Sequence, residues 1–251
     1  MSGEFQGKVA LLTGAASGLG RAASLRFASE GAQVCIVDIH AEGLADTARR
    51  ITEAGGTCVN LATDLGVPAN CAAAVQTAID AFGKLDILCN IAGILRFHAL
   101  ADVSVEDWNR LLACNLTAPF FMMQAAMPHL IETQGNVVNV TSTAAFLGQS
   151  YTAPYGATKS ALLSLTKSLA MEFIKSPVRI NAIAPGGMTT EMGLTVAFPE
   201  NADTDMILRY CGFRPPSTPE EIVELLMFVA SDKARSVHGA CYLADNGITA
   251  G

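Results

Sequence analysis

Seven short apolar runs are spread along the chain, and a longer amphipathic segment follows most of them. Most of the runs are rich in Val, Ile or Cys, which is typical of strands buried on both faces of a parallel sheet. The runs are Val9–Leu12, Val34–Val37, Cys58–Leu61, Ile87–Cys89, Val137–Val140, Ile180–Ala184 and Ala240–Leu243. The pattern therefore predicts about seven strands.

The segments between the runs carry helix start and stop signals. Gly31 follows a helical stretch, Ala22–Glu30, and Thr218 precedes a Pro-Glu-Glu start. Ser104, with an acidic residue three positions later, resembles a capping box. Strand–helix alternation requires right-handed crossovers, which place helices on both faces of the sheet. We therefore predict an α/β fold with a doubly wound parallel sheet, in one domain over residues 1–251.

Composition narrows the class of protein. Of the 251 residues, 51% are hydrophobic and 16% are charged, which suits a sizeable core and excludes a disordered chain. The net charge of −7 argues against a nucleic-acid surface. No apolar run reaches membrane-spanning length, the seven cysteines form no C-x-x-C pair, and the four histidines are scattered. We expect a cytoplasmic protein with no nucleic-acid, membrane or metal site.

The first strand runs directly into a glycine-rich turn, Thr13-Gly14-Ala15-Ala16-Ser17-Gly18-Leu19-Gly20. Glycines permit a tight turn and let backbone amides approach a phosphate at the positive end of a helix, although a purely structural turn would show the same glycines. Asp38 ends the second strand, where a carboxylate can accept from both adenosine ribose hydroxyls and repel a 2′-phosphate. An exposed strand-end aspartate is the alternative. The pair of features favours NAD over NADP.

Tyr155 and Lys159 lie one helical turn apart, so the phenol and the ammonium project from the same face. A nearby fixed cation favours the phenolate and lowers the pKa of a tyrosine. A Tyr-x-x-x-Lys pair alone is ordinary helix surface, but Ser142 follows a buried strand at the edge where parallel sheets place their ligand crevice. The three side chains are therefore candidates for one catalytic group.

Taken together, these motifs resemble the short-chain dehydrogenase/reductase family, in its short single-domain subtype with a Rossmann-type fold. The matching residues extend over nearly the whole chain: the T-G-x-x-x-G-x-G turn, Asp64-Leu65, Asn90-Ile91-Ala92-Gly93, Asn115, Ser142, Tyr155, Lys159 and Pro185-Gly186. Two departures stand out. Ile91 replaces a second asparagine of the fourth-strand motif, and Asn246 stands where the family commonly has glycine.

The resemblance implies a role for each matched residue. Tyr155 would take or give the proton, Lys159 would lower the pKa of Tyr155 and bind the nicotinamide ribose, and Ser142 would orient the substrate oxygen. Asn115 would hold a water in the proton path. Further cofactor contacts are implied at Gly14, Ser17, Gly18, Leu19, Gly20, Asp38, Ile39, Asp64, Leu65, Asn90, Ala92, Gly93, Pro185, Gly186, Met188 and Thr190.

The implied activity is hydride transfer between NAD and a secondary alcohol or ketone. A 3-oxoacyl thioester reductase of the same family is an alternative, since it shares every catalytic residue, but it fits Asp38 poorly if its cofactor is NADPH. A silent NAD-binding module is a second alternative, although it would not need the intact Ser142, Tyr155 and Lys159. Candidate substrate walls are mostly apolar and favour a hydrophobic substrate: Ile94, Leu95, Arg96, Ala144, Phe146, Gln149 and the insertion after Gly187.

Two further expectations concern the surface. The helices predicted around Trp108–Ile131 and Tyr155–Ile174 carry apolar or small residues on several faces (Phe120, Phe121, Met122, Ala157, Ala161 and Leu165), which together with the resemblance predicts a homotetramer. The stretch at about 186–216 is too apolar for a solvated linker and too interrupted for one long helix. We predict a mobile substrate lid there, with a static insertion or an oligomer contact as the alternative.

Overall fold

The computed structural model describes residues 3–195 and 197–250, so Val196 of the predicted lid lies outside the described residues. A seven-stranded parallel sheet runs through it in the order β3-β2-β1-β4-β5-β6-β7. The strands are β1 Val9–Thr13, β2 Gln33–Asp38, β3 Thr57–Ala62, β4 Ile87–Asn90, β5 Asn136–Val140, β6 Arg179–Pro185 and β7 Cys241–Ala244. Each overlaps one predicted apolar run, which confirms the predicted fold class. The strand order reverses between β1 and β4, where sheets of this kind open a crevice at their carboxyl edge.

Helices cover both faces of the sheet. They are α1 Gly18–Ser29, α2 Ala41–Glu53, α3 Pro68–Phe82, α4 Val105–Leu112, α5 Ala118–Thr133, α6 Ala153–Glu172, α7 Glu191–Thr195, α8 Thr204–Leu208 and α9 Pro219–Ala230. One apolar core joins the sheet to α1, α2 and α9, and a second joins it to α3, α5 and α6. Strand side chains are shared between the two cores, since β1 sends Leu12 into the first and Leu11 into the second.

The helix starts follow the sequence signals with two differences. Thr218 Oγ1 accepts from the Glu221 N–H at 3.3 Å and the Glu221 carboxylate accepts from the Thr218 N–H at 2.8 Å, which completes a capping box. Ser104 forms only half of one, because the shorter Asp107 carboxylate accepts from the Ser104 hydroxyl at 2.7 Å. Helix α1 begins at Gly18, a full turn earlier than predicted, because the glycine-rich turn leads directly into it.

The edge strands β3 and β7 differ from the prediction of strands buried on both faces. Their side chains are mostly half-buried or exposed, whereas those of β1, β4 and β5 are all buried. Each edge strand has a neighbour on one side only, so the helices on the two faces cover it incompletely. The short apolar runs therefore predicted the strands correctly and the burial of these two incorrectly.

A single π-helical turn, Ala113–Thr117, joins α4 and α5 where the sequence predicts one continuous helix. A π turn inserts an extra residue and changes the direction of the side chains that follow. Asn115 lies in this turn and is fully buried, pointing toward α6 rather than into solvent.

The stretch from Gly186 to Pro216, called the insertion below, holds α7 and α8. A parallel bridge between Met188 and Ser217 closes its base, with hydrogen bonds from Thr189 N to Ser217 O at 3.0 Å and from Ser217 N to Gly187 O at 3.1 Å. Across the described ranges, no helix is both long enough and apolar enough to pass through a membrane.

Candidate active site

A cleft of about 400 Å³ opens at the carboxyl edge of the sheet, above the point where the strand order reverses. The predicted site residues that line it are Gly14, Ser17, Gly18, Leu19, Gly20, Asp38, Ile39, Asp64, Leu65, Ala92, Gly93, Ser142, Tyr155, Lys159, Pro185, Gly186, Met188 and Thr190. Two predicted residues, Asn90 and Asn115, lie behind its wall and are buried. The sequence therefore selected residues from seven separate segments that the fold brings together.

The glycine-rich turn forms one side of the cleft. Gly14 has a φ of +72°, and a Cβ on it would lie 2.8 Å from the Ala92 Cα. A Cβ on Gly20 would lie 2.0 Å from the Gly14 carbonyl oxygen, so neither position accepts a side chain. Ser17, the N-cap of α1, makes no side-chain capping bond, which leaves the first N–H groups of the helix directed at the cleft. Such a helix end attracts an anion.

Asp38 extends from the end of β2 into the same cleft. Its Oδ2 accepts from the Ala16 N–H at 2.9 Å, and its Oδ1 accepts from the His40 N–H at 2.9 Å. Each carboxylate oxygen can accept more than one hydrogen bond, so acceptor positions remain on the side of the cleft. The two backbone bonds fix the carboxylate where a ligand that reaches β2 would meet a negative charge.

Asp64, which follows β3, is held in a similar way. Its Oδ1 accepts from the Gly66 N–H at 2.8 Å, and its Oδ2 accepts from Arg110 Nη1 on α4 at 2.6 Å. Burial opposes ionisation of Asp64, but these two hydrogen bonds outweigh it and lower the pKa of the carboxyl. The side of the cleft at β2 and β3 is therefore lined by two aspartate carboxylates, each held by two hydrogen bonds.

Ser142, Tyr155 and Lys159 meet at the opposite end. Tyr155 and Lys159 lie in the first half of α6, and Ser142 is the second residue after β5. Lys159 Nζ lies 5.7 Å from the centre of the Tyr155 ring and donates to the Val140 carbonyl at 2.9 Å. A Cβ on Gly93 would lie 3.3 Å from that same Nζ, so the glycine leaves space in front of the ammonium. The fold brings the three predicted groups together.

The electrostatics of this group differ from the sequence expectation. Burial raises the pKa of Tyr155, and a hydrogen bond with Ser142 offsets only part of that effect. Burial also lowers the pKa of Lys159 to about 8. Burial, the largest influence on the pKa of Tyr155, acts in the direction opposite to the lowering expected from Lys159, whose ammonium faces the Tyr155 ring and the Val140 carbonyl. Desolvation of both groups dominates their mutual attraction.

Asn115 braces the wall behind these residues. Its Oδ1 accepts from the Ile94 N–H at 2.8 Å, and its Nδ2 donates to the Ile94 carbonyl at 2.9 Å and to Thr158 Oγ1 at 3.2 Å. The side chain thus connects the segment after β4 to α6. Its predicted role in holding a water remains a prediction.

Asn90 and Thr13 brace the neighbouring strand ends. Asn90 Nδ2 donates to Asn139 Oδ1 at 2.8 Å inside the sheet, so the predicted cofactor contact at Asn90 does not face the cleft. Thr13 Oγ1 accepts from the N–H groups of Ile91 and Ala92, each at 3.0 Å. Ile91 itself lines the cleft and packs against the core, so an apolar contact replaces the asparagine of the family pattern.

An outer cavity of about 480 Å³ adjoins the cleft, and the two share Ile94 and Met192. Of the predicted walls, Ile94, Leu95 and Arg96 line it together with part of the insertion. The other three predictions are wrong for both cavities: Ala144 is buried, Phe146 is exposed to solvent, and Gln149 turns toward Thr143. These three follow Ser142 along the chain, but the turn after β5 directs them away from the opening.

Besides the hydrogen bonds at its base, the described part of the insertion contacts the rest of the protein through a ring pair and two hydrogen bonds that tyrosines make. The rings of Phe97 and Phe198 pack edge to face with centroids 4.6 Å apart. The Asp203 N–H donates to the Tyr151 hydroxyl at 2.8 Å, and the Tyr210 hydroxyl donates to the Ser150 carbonyl at 2.9 Å. Several of its large apolar side chains are exposed: Met192, Phe198, Met206, Leu208 and Phe213.

The second departure from the family pattern has a structural use. Asn246 has a φ of +55°, in the left-handed region that glycine adopts most easily. Its Nδ2 donates to the Pro215 carbonyl at 2.9 Å and to Ser217 Oγ at 3.1 Å. The asparagine therefore ties the segment after β7 to the base of the insertion, which a glycine could not do.

Sequence reasoning missed several groups at the site, above all Arg110, Thr13 and Tyr151. Arg110 and Tyr151 acquire their partners only when distant segments dock, and no local motif marks them. Thr13 stood in the glycine-rich motif, but its part in holding the segment after β4 depends on the pairing of β1 with β4.

The residues present fit a dinucleotide. The turn offers backbone N–H groups without side chains in the way, two carboxylates lie at the β2 and β3 side, and a lysine ammonium lies beside open space at the other end. In the part of the chain that is described, no group of three His, Cys, Asp or Glu side chains is arranged to hold a metal ion.

Comparisons with known proteins agree with this geometry. Residues 14–249 match the family model described as enoyl-(acyl carrier protein) reductase. The chain is 35% identical, over the full length of both proteins, to 2,5-dichloro-2,5-cyclohexadiene-1,4-diol dehydrogenase LinX of Sphingobium indicum.

Solved structures give the same result. A short chain dehydrogenase from Mycobacterium paratuberculosis, bound to NAD, superposes with a TM-score of 0.89 at 28% identity, covering 99% of this chain and 100% of that one. One from Burkholderia cenocepacia, in complex with NADP, superposes with a TM-score of 0.88 at 30% identity, covering 98% and 99%. The motifs, the sheet order and these matches together show that the chain belongs to the short-chain dehydrogenase/reductase family of oxidoreductases.

Proposed function

We propose that the protein is an NAD-dependent dehydrogenase that interconverts a hydrophobic secondary alcohol and its ketone. The observation that carries this proposal is the arrangement of the cleft. The Ser142 hydroxyl, the Tyr155 phenol and the Lys159 ammonium lie at one end, and the glycine-rich turn and Asp38 lie at the other. Residues 1–251 would act as one dinucleotide-binding and catalytic domain.

The chain's own residues supply binding and proton transfer. The N–H groups at the start of α1 would bind the diphosphate, and Asp38 would accept from the adenosine ribose hydroxyls. When bound, the nicotinamide supplies the hydride acceptor for oxidation, or the hydride donor for reduction. Lys159 would exchange its Val140 carbonyl partner for the ribose hydroxyls.

Tyr155 acts on the substrate oxygen. In the oxidative direction its phenolate takes the hydroxyl proton of the alcohol, and in the reductive direction its phenol returns a proton to the carbonyl oxygen. Ser142 donates to the same oxygen, where negative charge develops. Because burial raises the pKa of Tyr155, the phenol is the resting form at neutral pH and the phenolate must be generated for oxidation.

The preference for NAD rests on Asp38. Its fixed carboxylate would repel a 2′-phosphate, and the glycine-rich turn carries no lysine or arginine to neutralise one. Solved relatives bind either NAD or NADP, so membership of the family does not favour one cofactor. The proposed preference for NAD is supported by the local charge of Asp38 at the end of β2.

The outer cavity supports a substrate with an apolar body. Ile94, Leu95 and the Phe97–Phe198 ring pair line it, and it joins the cleft beside Met192. LinX, a relative named for its action on a cyclic diol, agrees with an alicyclic or aromatic substrate. A 3-oxoacyl thioester reductase is the second candidate, because one relative, 33% identical to this chain, is named 3-oxoacyl-[acyl-carrier-protein] reductase FabG of Thermotoga maritima.

Absorbance at the NADH band tests the proposal. The purified protein is incubated with NAD and a panel of cyclic and open-chain secondary alcohols, hydroxysteroids, sugar alcohols and 3-hydroxyacyl thioesters. We expect turnover of apolar alcohols that Tyr155→Phe abolishes and Tyr242→Phe, a change on β7 outside the cleft, leaves intact. Turnover confined to thioesters supports the second candidate. Binding of NADH without turnover of any substrate would favour a silent nucleotide-binding module.

We also propose that the chain forms a homotetramer in the cytoplasm. Large apolar side chains are exposed on the helices predicted to lie at an interface, including Trp108, Phe120 and Met171. All seven cysteines are unpaired, which suits a reducing compartment. Light scattering at micromolar concentration should report four copies, and a monomer would contradict the assembly.

A further inference from the structure

A charged pair from two distant parts of the chain lies in the wall of the cleft. Arg110 projects from α4 and Asp64 follows β3, and Arg110 Nη1 lies 2.6 Å from Asp64 Oδ2. Both side chains line the cleft, with 38% and 34% of their surface exposed. A pair this exposed contributes little to folding stability. Since the Arg110–Asp64 ion pair also lines the cleft, we consider a role for it in ligand binding.

The pair fixes the direction of the Asp64 carboxylate. Oδ2 is held by Arg110 and Oδ1 by the Gly66 N–H, while the Asp64 carbonyl accepts from Asn70 Nδ2 at 2.8 Å. A carboxylate oxygen has two acceptor positions, so each oxygen keeps one for a ligand. Asp64 is thus a fixed group that accepts hydrogen bonds and donates none.

Gly66 makes room for this arrangement. A Cβ at this position would lie 3.0 Å from Arg110 Nη1 and 3.0 Å from Asp64 Oδ1, which is closer than ordinary van der Waals contact. A side chain at Gly66 would therefore displace the two paired groups by a few tenths of an ångström without removing either charge. This gives an independent way to disturb the geometry.

We propose that Arg110 is a positioning residue for base recognition, which holds the Asp64 carboxylate so that the site selects a purine with an amino group at C6. The inference rests on the proposed binding of NAD(H). Asp64 lies at the β3 side of the cleft, where the adenine of the dinucleotide is expected. A fixed acceptor attracts the exocyclic amino group of adenine and repels the carbonyl of hypoxanthine in the same place.

Arg110 acts through Asp64 and not on the base itself. Without the guanidinium, the carboxylate loses one of its two anchors and can rotate toward solvent. The amino group then loses its oriented acceptor, and the carbonyl is no longer repelled. The discrimination between the two bases is therefore the quantity that depends on Arg110, whereas the diphosphate contacts at α1 are unaffected.

The experiment compares binding of NADH with binding of reduced nicotinamide hypoxanthine dinucleotide, by quenching of protein fluorescence or by calorimetry. The two ligands differ only at C6 of the purine. We expect the wild type to bind NADH at least about tenfold more tightly, the effect of one hydrogen bond to a charged group. In Arg110→Met the ratio of the two dissociation constants should fall to about threefold or less. Arg110→Lys should restore part of this ratio.

Two further variants complete the design. Arg49→Met removes an arginine that pairs with Asp46 and Glu53 on the exposed face of α2, and it should keep the wild-type ratio. Gly66→Ala should lower the ratio with both charges present, which keeps the test valid if Arg110→Met folds poorly.

The outcomes separate the two proposals. A wild type that binds both dinucleotides equally, or an Arg110→Met protein with an unchanged ratio, would overturn the role of Arg110 while NADH binding stands. A folded wild type that binds neither dinucleotide would instead contradict the proposed function.

Discussion

The dinucleotide end of the cleft is built from strand ends and the turns that follow them, whereas the outer cavity beyond Ser142, Tyr155 and Lys159 is lined in part by the insertion. At the first end, Asp38 and Asp64 are each held by two hydrogen bonds, and Thr13 secures the segment after β4. At the other end, α7 and α8 are only five residues long and large apolar side chains are exposed. The hydrogen bonds therefore fix the first region, called the prepared end below, and we predict that the second region, called the adjustable end, changes shape when ligands bind.

The largest expected effect concerns Tyr155, where the two ends meet. Tyr155→Phe should reduce kcat by about a hundredfold or more, because proton transfer loses its acid–base group. NADH affinity should stay within a few-fold, because the ring still packs beside Lys159. Steady-state kinetics and NADH titration measure both quantities. Retention of more than about a tenth of the activity would assign the step to another group.

The next effect tests the prepared end. Asp38→Ala removes both the ribose acceptor and the charge that opposes a 2′-phosphate, so the preference for NADH over NADPH should shrink by about ten- to a hundredfold. Arg49→Met on the neighbouring helix α2 serves as the control. Tighter binding of NADPH than of NADH by the wild type would show that the carboxylate does not set the choice.

The pH dependence of the reaction tests the roles of Tyr155 and Lys159. Since the pKa of Tyr155 is raised, raising the pH below that pKa increases the phenolate fraction about tenfold per unit. The kcat/KM of alcohol oxidation should therefore rise with pH, while ketone reduction stays flat and then falls. The pKa of Lys159 is about 8, so its ammonium loses its charge above that pH. The rise of kcat/KM for oxidation should therefore become less steep there. Oxidation that slows as the pH rises from neutral toward the pKa of Lys159 would contradict this assignment.

The smallest effect tests the adjustable end. Tyr151→Phe removes the hydroxyl that accepts from the Asp203 N–H, so amides in Asp203–Leu208 should exchange hydrogen a few-fold faster. The KM for the alcohol should rise a few-fold, and NADH affinity should not change. Tyr242→Phe is the matched control.

In the wild type, hydrogen exchange in the insertion should slow when NADH and a substrate analogue bind. Equal protection with and without these ligands would indicate a static insertion.

Much of the dinucleotide end could be predicted from the sequence because its signals are local. A glycine-rich turn after an apolar run, and an aspartate after the next run, have only a few physical explanations. The seven strands were equally readable, since each is a short apolar run between helices. Local patterns do not encode strand order, however, and the predicted burial of β3 and β7 failed because their place at the sheet edges is a property of the whole fold.

The adjustable end was less predictable for a related reason. The insertion was located, and its apolar content was read correctly, but its contacts depend on residues far away in the chain. Tyr151 adopts a φ of +66°, a backbone conformation that is sterically disfavoured for residues other than glycine. Its hydroxyl accepts a hydrogen bond from the Asp203 N–H. Ala144, Phe146 and Gln149 were assigned to the substrate wall because they follow Ser142, and the turn after β5 directs them elsewhere.

The bond from Asn246 to Pro215 has a practical meaning for anyone who produces this protein. The short helical turn Ile248–Ala250 begins two residues later, so a purification tag attached after it would act on the base of the insertion. Near the first described residues, the Glu4 N–H donates to the Glu30 carboxylate and Phe5 packs on Phe27, at the amino edge of the sheet. A tag on that side would lie at the edge of the sheet opposite the cleft, so kinetic constants from proteins tagged on the two sides should be compared with this in mind.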